Sequence, residues 1–326
     1  MTVIIDDALM LDTELSLTLG KRTMNHPEPG QVLLRLEWAG VCGSDLHVLR
    51  TGDWVSAWPA TLGHEVVGVV EECPGNELAV GSRVVLDSRM PCGTCEGCRR
   101  AKNLCERMRW LGEGMPGGFQ RRAVFAVDQV VMCPEELEPA LAVLGEPLAV
   151  AMHAVTRAGV LPDRVLILGY GPVGALVHAE IIRRNPDALV SVIEPLASRT
   201  LMARAAGAEV MVETTDMTWP LVVDAAGHSS SLSEGVHLLE TGGVLLLVGL
   251  AHHPATIVPQ DLTERSLTVI GSNGFVDELP QALRMLTSRP DSYRWLITDS
   301  ISLEEAPRRL SVMSQVPVAG KLVIAL

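Results

Sequence analysis

From Leu11 to about Val131 the chain runs in short stretches of alternating or β-branched apolar residues, each closed by Gly or Pro: QVLLRLEWAG, HEVVGVVEE, SRVVLDS and RRAVFAV. A period of two with branched side chains suits pleated backbone, so this half predicts strands. After Leu144 the pattern changes. Strand-like runs alternate with longer helical stretches, RVLILG then GALVHAEIIRR, LVSVIEP then SRTLMARAAGA, and continue as LVVDAAG, GGVLLLVGL and SLTVIGS. That alternation predicts a parallel sheet wound with helices. From about Asp277 two helical patterns, ELPQALRMLTS and LEEAPRRLSVM, precede a closing strand, GKLVIAL, and these pieces can rejoin the first domain. No fixed-period repeat or low-complexity segment interrupts the pattern.

A chain of 326 residues exceeds what one core ordinarily supports. The expected division is residues 1–150, 151–276 and a C-terminal return over 277–326, with a distinct lobe at about 88–110. A net charge of −13 argues against nucleic acid, because neutralising phosphates takes clustered Lys and Arg. Arg99-Arg100 and Arg121-Arg122 read as solvated surface. The N-terminal stretch carries acids and no basic leader, and no run of about 18 apolar residues is offered to a membrane. The chain therefore reads as cytoplasmic. Of seven cysteines, four fall between Cys92 and Cys105, which favours metal over disulfides in that compartment. Cys73 and Cys133 read as inert buried thiols.

Leu168 closes a strand-like run, and Gly169-Tyr170-Gly171-Pro172-Val173-Gly174 follows at the start of a helical pattern. Glycines there serve a tight turn, close approach to a pyrophosphate and close helix–strand packing. The helix N-terminus adds free N–H groups and partial positive charge. Glu194 stands twenty residues past Gly174 at the end of the next strand-like run. A carboxylate there would accept ribose hydroxyls and repel a 2′-phosphate, favouring NAD over NADP, although Arg199 softens the distinction. The plainer readings are a glycine turn without ligand and an exposed acid.

Cys92-x2-Cys95-x2-Cys98-x6-Cys105 offers four thiolates, the number that closes a tetrahedral structural zinc site. The intervening residues have almost no apolar core, so the metal would fold the loop. An iron–sulfur cluster is the competing metal reading, and nothing else in the chain suggests electron transfer.

Two other segments, Gly40-Val41-Cys42-Gly43-Ser44-Asp45-Leu46-His47 and Gly63-His64-Glu65, and a third, Gly145-Glu146-Pro147-Leu148, carry residues of a reactive metal site. A catalytic zinc takes three protein ligands and keeps one position open, and Cys42, His64 and Glu146 could supply the three.

With GVCGSDLH, GHE, the cysteine lobe, GEPLAVAMHAV, the glycine fingerprint and GKLVIAL in order along essentially the whole chain, the sequence resembles the zinc-containing medium-chain dehydrogenases, particularly the sorbitol and threonine dehydrogenase branch. The resemblance implies α/β plus β architecture: a GroES-like β-rich catalytic domain, a Rossmann domain with a doubly wound parallel sheet, and a substrate cleft between them. It implies two zincs per chain, NAD, a small-molecule alcohol or carbonyl substrate, and a homo-oligomer, dimer or tetramer. It assigns Cys42, His64 and Glu146 to the catalytic zinc, with Glu65 close by as a direct or water-mediated competitor. Asp45 would fix the His64 tautomer, Ser44 would take the substrate proton, and His47 would pass it to solvent through the nicotinamide ribose. Ligation by a glutamate lies closer to enzymes of polyols, sugars and amino alcohols than of simple primary alcohols. Asp53 to Trp58, Phe119 and Asn273-Gly274-Phe275 could line the cleft.

The chain departs from the family twice. Six residues rather than the usual seven precede the fourth cysteine, and only TTDMTWP separates AAGAEVMVE from LVVDAAG, where relatives usually fit a helix. A reductase with the same site running toward alcohol, and an inactive zinc-stabilised nucleotide-binding protein, are the alternative functions. Intact Cys42, Ser44, His47, His64 and Glu146 weigh against the second.

Overall fold

The computed structural model describes residues 3–211, 217–250, 253–316 and 318–326. The chain divides into two compact units, one of Met1–Glu146 with Leu279–Leu326 and the other of Pro147–Glu278.

The first unit is built on a seven-stranded sheet. Its order is Ile297–Ser302, Lys321–Ala325, Gln31–Gly40, Glu65–Glu72, Arg83–Leu86 and Val130–Met132, with Arg122–Ala126 pairing Gln31–Gly40 off this path. An antiparallel hairpin, Val3–Leu11 with Leu17–Asn25, stands apart. The apolar positions of these strands close two cores. Ala39, Val41, Leu62, Phe119, Leu322 and Ile324 belong to one, and Val32, Leu34, Val66, Val84 and Leu111 to the other. The C-terminal return supplies two neighbouring strands, parallel to each other, and the second is antiparallel to Gln31–Gly40 with Val323 opposite Gly40. This register carries Lys321, at the head of the last strand, into the interior, where it is 1% exposed. A short ladder, Arg89–Met90 with Arg109–Trp110, closes the base of the cysteine lobe.

The second unit is a six-stranded parallel sheet in the order Glu209–Met211, Leu189–Ile193, Arg164–Leu168, Trp219–Asp224, Leu239–Leu247 and Thr268–Gly271. Counted along this unit the order is 3-2-1-4-5-6, the doubly wound arrangement whose ligand crevice lies at the carboxyl ends of the first and fourth strands, where strand order reverses. Helices Pro172–Arg184, Ala197–Ala205, Ser229–His237 and Pro259–Glu264 serve four of the crossovers. The shortened third connection has no helix among its described residues, Met217 and Thr218; its remaining residues, 212–216, lie outside the described residues.

One expectation needs correcting. Pro139–Ala158 is helical and apolar enough to cross a membrane by length and composition. However, 78% of its apolar window is buried inside the fold, and that burial makes it a core helix.

Candidate active site and metal centres

The reactive cluster forms where two adjacent strands of the first unit meet a helix start. Gln31–Gly40 leads through Val41 to Cys42, which caps the helix Gly43–Thr51. Asp45, third in that helix, accepts the Cys42 backbone N–H at 2.9 Å through Oδ2 and the Gly63 N–H at 3.1 Å through Oδ1. One buried carboxylate thus ties the Cys42 turn to the segment that presents His64. The next strand begins at Glu65, opposite Gly40. A Cβ at Gly40 would stand 2.0 Å from Glu65 Oε2, so only glycine leaves room for that carboxylate.

Ligand atoms of Cys42, His64 and Glu65 lie within 4.8 Å of one another. Asp45 Oδ1 stands 3.6 Å from His64 Nδ1. Burial disfavours the charged His64 ring, but the Asp45 carboxylate and Cys42 sulfur oppose it and hold its pKa well above the usual value. Glu65 is fully buried; Oε1 accepts Lys321 Nζ at 2.6 Å, whereas Oε2 is buried with no hydrogen-bond partner. A buried oxygen left unmatched is costly unless a further electropositive group meets it. A thiol, an imidazole and a carboxylate converging this way, with one carboxylate oxygen left unmatched, fit a zinc ion with one position open. Glu146 is not in that group of three. Its Oε1 instead accepts the Ser88 hydroxyl at 2.8 Å, and burial followed by Glu65's charge raises its pKa against the opposing effects of His64, Ser88 and Lys321.

Ser44 sits partly buried in the first turn of the same helix, and His47 lies one turn on, 7% exposed. His47 Nε2 is 2.9 Å from Asp53 Oδ2, and the Trp54 ring lies 4.8 Å from the imidazole centroid. The Asp53 side chain is 55% exposed, so a proton reaching His47 is one carboxylate from water.

In the lobe, sulfur–sulfur separations of 3.5 Å for Cys95–Cys98, 3.9 Å for Cys92–Cys98 and 4.0 Å for Cys95–Cys105 surround the ~3.8 Å edge of a tetrahedron with bonds of about 2.3 Å. Cys105 takes the backbone N–H of Cys92 at 3.2 Å, so the shortened spacer still returns it to the group. Backbone N–H groups of Thr94 and Cys95 lower the Cys92 thiol to about 5, while burial pushes Cys98 up to about 12. A tetrahedral thiolate metal fits these four.

In the second unit the glycine motif follows the Arg164–Leu168 strand, with Gly171 capping the helix Pro172–Arg184. Pro172 and Val173 form its first turn. A Cβ at Gly174 would approach the Gly169 carbonyl oxygen to 2.2 Å, which fixes the close helix–strand contact. Glu194 is 8% exposed and accepts backbone N–H groups from Tyr170 at 2.7 Å and Leu196 at 2.8 Å. Arg199 Nη1 stands 3.8 Å from Glu194, beside Gly171.

Lys321 and Ser88 did not enter the predicted site, and Asp53 entered it only as one of a stretch that could line the cleft, not as the partner of His47. Lys321 carried a usable signal, a cation at the head of an otherwise apolar strand. Ser88 carried none, since it is one of many such residues in loops, and nothing in the sequence tied Asp53 to His47.

Residues 28–135 match the alcohol dehydrogenase GroES-like domain and residues 187–288 the zinc-binding dehydrogenase domain. A sorbitol dehydrogenase of Arabidopsis thaliana is 30% identical over 300 residues, 83% of this chain and 81% of that enzyme. L-idonate 5-dehydrogenase (NAD(P)+) of Escherichia coli K12 is 29% identical over 307 residues, 86% of this chain and 89% of its own. The crystal structure of an alcohol dehydrogenase from Escherichia coli CFT073 with NADH superposes with a TM-score of 0.90 at 26% identity, covering 99% of both chains.

Proposed function

The chain belongs to the zinc-containing medium-chain dehydrogenase/reductase family, and on that premise we infer that it oxidises a secondary alcohol of a polyol, sugar or amino alcohol with NAD, in the cytoplasm. The observation that carries the reading is the convergence of Cys42, His64 and Glu65, whose carboxylate also keeps one buried oxygen without a protein partner. Glu65 rather than Glu146 is the third ligand in this reading, with Glu146 held back by Ser88. Zinc held there would supply Lewis acidity at a substrate oxygen, and NAD on the second unit would supply the ring that accepts hydride.

The protein's own part is positioning and proton transfer. Asp45 holds the Cys42 turn and the His64 segment together. The Ser44 hydroxyl takes the substrate proton and yields its own to His47, which loses it toward Asp53 and water. Gly169, Gly171 and Gly174 bring backbone against a pyrophosphate, and the helix that starts at Pro172 presents free N–H groups to it. The fixed negative charge of Glu194 favours an unphosphorylated ribose, hence NAD. Cys92, Cys95, Cys98 and Cys105 hold a second, structural zinc. Unpaired cysteines of this kind suit a reducing compartment. An edge strand, Thr268–Gly271, paired on one side and bearing exposed Val269, supports assembly of identical subunits as a dimer or tetramer.

Zinc-replete protein is to be assayed on polyols, sugars and amino alcohols with NAD and with NADP, following absorbance of the reduced nicotinamide. His64→Ala is expected to lose turnover and keep NAD affinity. Full activity in that variant refutes the site.

A further inference from the structure

The loop Gly112–Phe119 runs beside the segment that presents His64. Gly117 N–H donates to the Thr61 carbonyl at 2.6 Å, Gly118 N–H to Gly63 at 2.8 Å and Phe119 N–H to Leu62 at 2.9 Å. A Cβ on Gly112 would come within 2.8 Å of the Gly63 nitrogen, so backbone rests on backbone there. The next residue, Glu113, is therefore held beside the proposed metal ligand. Its carbonyl accepts the Ser56 N–H at 3.3 Å, which joins it to the loop of Asp53 and Trp54. The Glu113 side chain is partly buried, and its carboxylate has neither hydrogen bond nor ion pair among the described residues. Arg109, whose stem would meet a Cβ on Gly114, directs its guanidinium to Met90 Sδ instead. Other acids near the site are engaged: Glu65 by Lys321, Glu146 by Ser88, Asp45 by two backbone N–H groups, and Asp53 by His47.

We propose that Glu113 is a specificity-determining residue, whose unpaired carboxylate accepts hydrogen bonds from the substituent next to the reacting carbon of the substrate. It selects neutral polyhydroxyl or ammonium-bearing alcohols and rejects those ending in a carboxylate or phosphate. The carboxylate is supplied with no protein partner among the described residues and is kept partly out of water, where a hydrogen bond gains strength and an approaching anion meets repulsion. Burial raises its pKa, while His64 acts in the opposite direction and Asp45 in the same one, which places its charge within electrostatic reach of the reacting centre. The proposal rests on the dehydrogenase reading above and narrows its substrate class.

Wild type, Glu113→Gln and Glu113→Ala, all zinc-loaded, are to be compared on sorbitol, 1-amino-1-deoxysorbitol and gluconate. Initial rates with NAD give KM and kcat, and calorimetric titration without NAD gives binding. A hydrogen bond to a charged acceptor is expected to favour the two donor substrates over gluconate by roughly 10- to 100-fold, chiefly through KM. Glu113→Gln should reduce that preference about tenfold or more and leave zinc content unchanged; Glu113→Ala should also weaken sorbitol. Preference ratios within twofold of wild type in both variants, or loss of zinc from Glu113→Gln, overturn the proposal. If none of the three compounds is oxidised, the dehydrogenase reading is what fails for them, and the calorimetric ratios still decide the role of Glu113.

Discussion

Lys321 and Glu65 offer the sharpest test of how the proposed metal site is balanced. Both side chains are 1% exposed or less and stand 2.6 Å apart. At an effective dielectric of about 20 that separation corresponds to roughly 6 kcal/mol of attraction, before the cost of removing both charges from water. Lys321 also donates to the Val41 carbonyl at 3.1 Å, beside Cys42. Burial lowers the lysine's pKa, but Glu65, Cys42 and Glu146 together raise it above its ordinary value, so the ammonium stays charged. Lys321→Met keeps the length of the side chain and deletes the charge. Removing one member of a buried pair typically costs about 3–5 kcal/mol, because the other is left uncompensated. For a unit of this size about 2–4 °C of melting temperature accompanies each kcal/mol, so the metal-stripped variant should melt roughly 6–20 °C below the metal-stripped wild type.

The same argument fixes what zinc does to that loss. Lys321 and a metal on Cys42, His64 and Glu65 would neutralise the same carboxylate charge and repel each other, so removing the lysine should destabilise the metal-free state more than the loaded one. Around the thermodynamic cycle the variant must then bind zinc at this site more tightly. Scanning fluorimetry of stripped and reloaded protein, with zinc titration by a competing chelator, reads both quantities. The zinc-induced rise in melting temperature should be larger in Lys321→Met than in wild type. Equal rises, or a stripped variant melting within 1 °C of wild type, refute Lys321 as the counter-charge of Glu65.

Cys105→Ser should reduce zinc from two per chain to one by elemental analysis and make residues 88–110 the first site of proteolysis, because the lobe has little apolar core to hold it. In the second unit, burial raises the Glu278 carboxyl but His153 at 2.8 Å and the Val276 N–H prevail and lower it to about 2. A carboxyl lowered in the fold stabilises above its unfolded value near 4.5 and loses that contribution as pH falls toward 2. Allowing for solvent on its outer side, Glu278→Gln should cost about 1–2 kcal/mol at pH 7 and almost nothing near pH 2. Hydrogen exchange in peptides covering His153 and Glu278, corrected for intrinsic rates, measures the difference; equal penalties at pH 7 and pH 3 contradict the pairing.

Much of the fold was open to reading because its elements are specified locally. The change from period two to alternating strands and helices after Leu144 marks where the second unit begins within a few residues, and Gly169 to Gly174 reads as a strand–turn–helix because glycine alone tolerates the 2.2 Å approach at Gly174. Sheet partners were less open. Nothing between Ala306 and Lys321 says that the last strand lies against Gln31–Gly40, since that pairing depends on cores more than 250 residues apart in the chain. The apolar run after Pro139 shows the opposite difficulty: composition alone admits a membrane span there, and only packing identifies a core helix.

The site divides along the same line. The four cysteines lie within fourteen residues, so spacing nearly dictates their meeting, and the shorter spacer, which ends in a 3-10 helix at Lys102–Leu104, still returns Cys105 to Cys92. Cys42, His64 and Glu65 meet through tertiary structure, and the choice between Glu65 and Glu146 rests on which partner each carboxylate finds. Glu146 finds the Ser88 hydroxyl, 58 residues away in sequence. Glu65 finds Lys321, 256 residues away, and keeps one oxygen unmatched. Ser88 belongs to no motif, and Lys321, although it lies in the closing GKLVIAL, has no spacing that points to Glu65, because a hydroxyl or an ammonium can reach a carboxylate from many backbone positions. A metal ligand set has narrow geometry and leaves a spacing in the sequence; the charges that tune it have wide geometry and leave almost none.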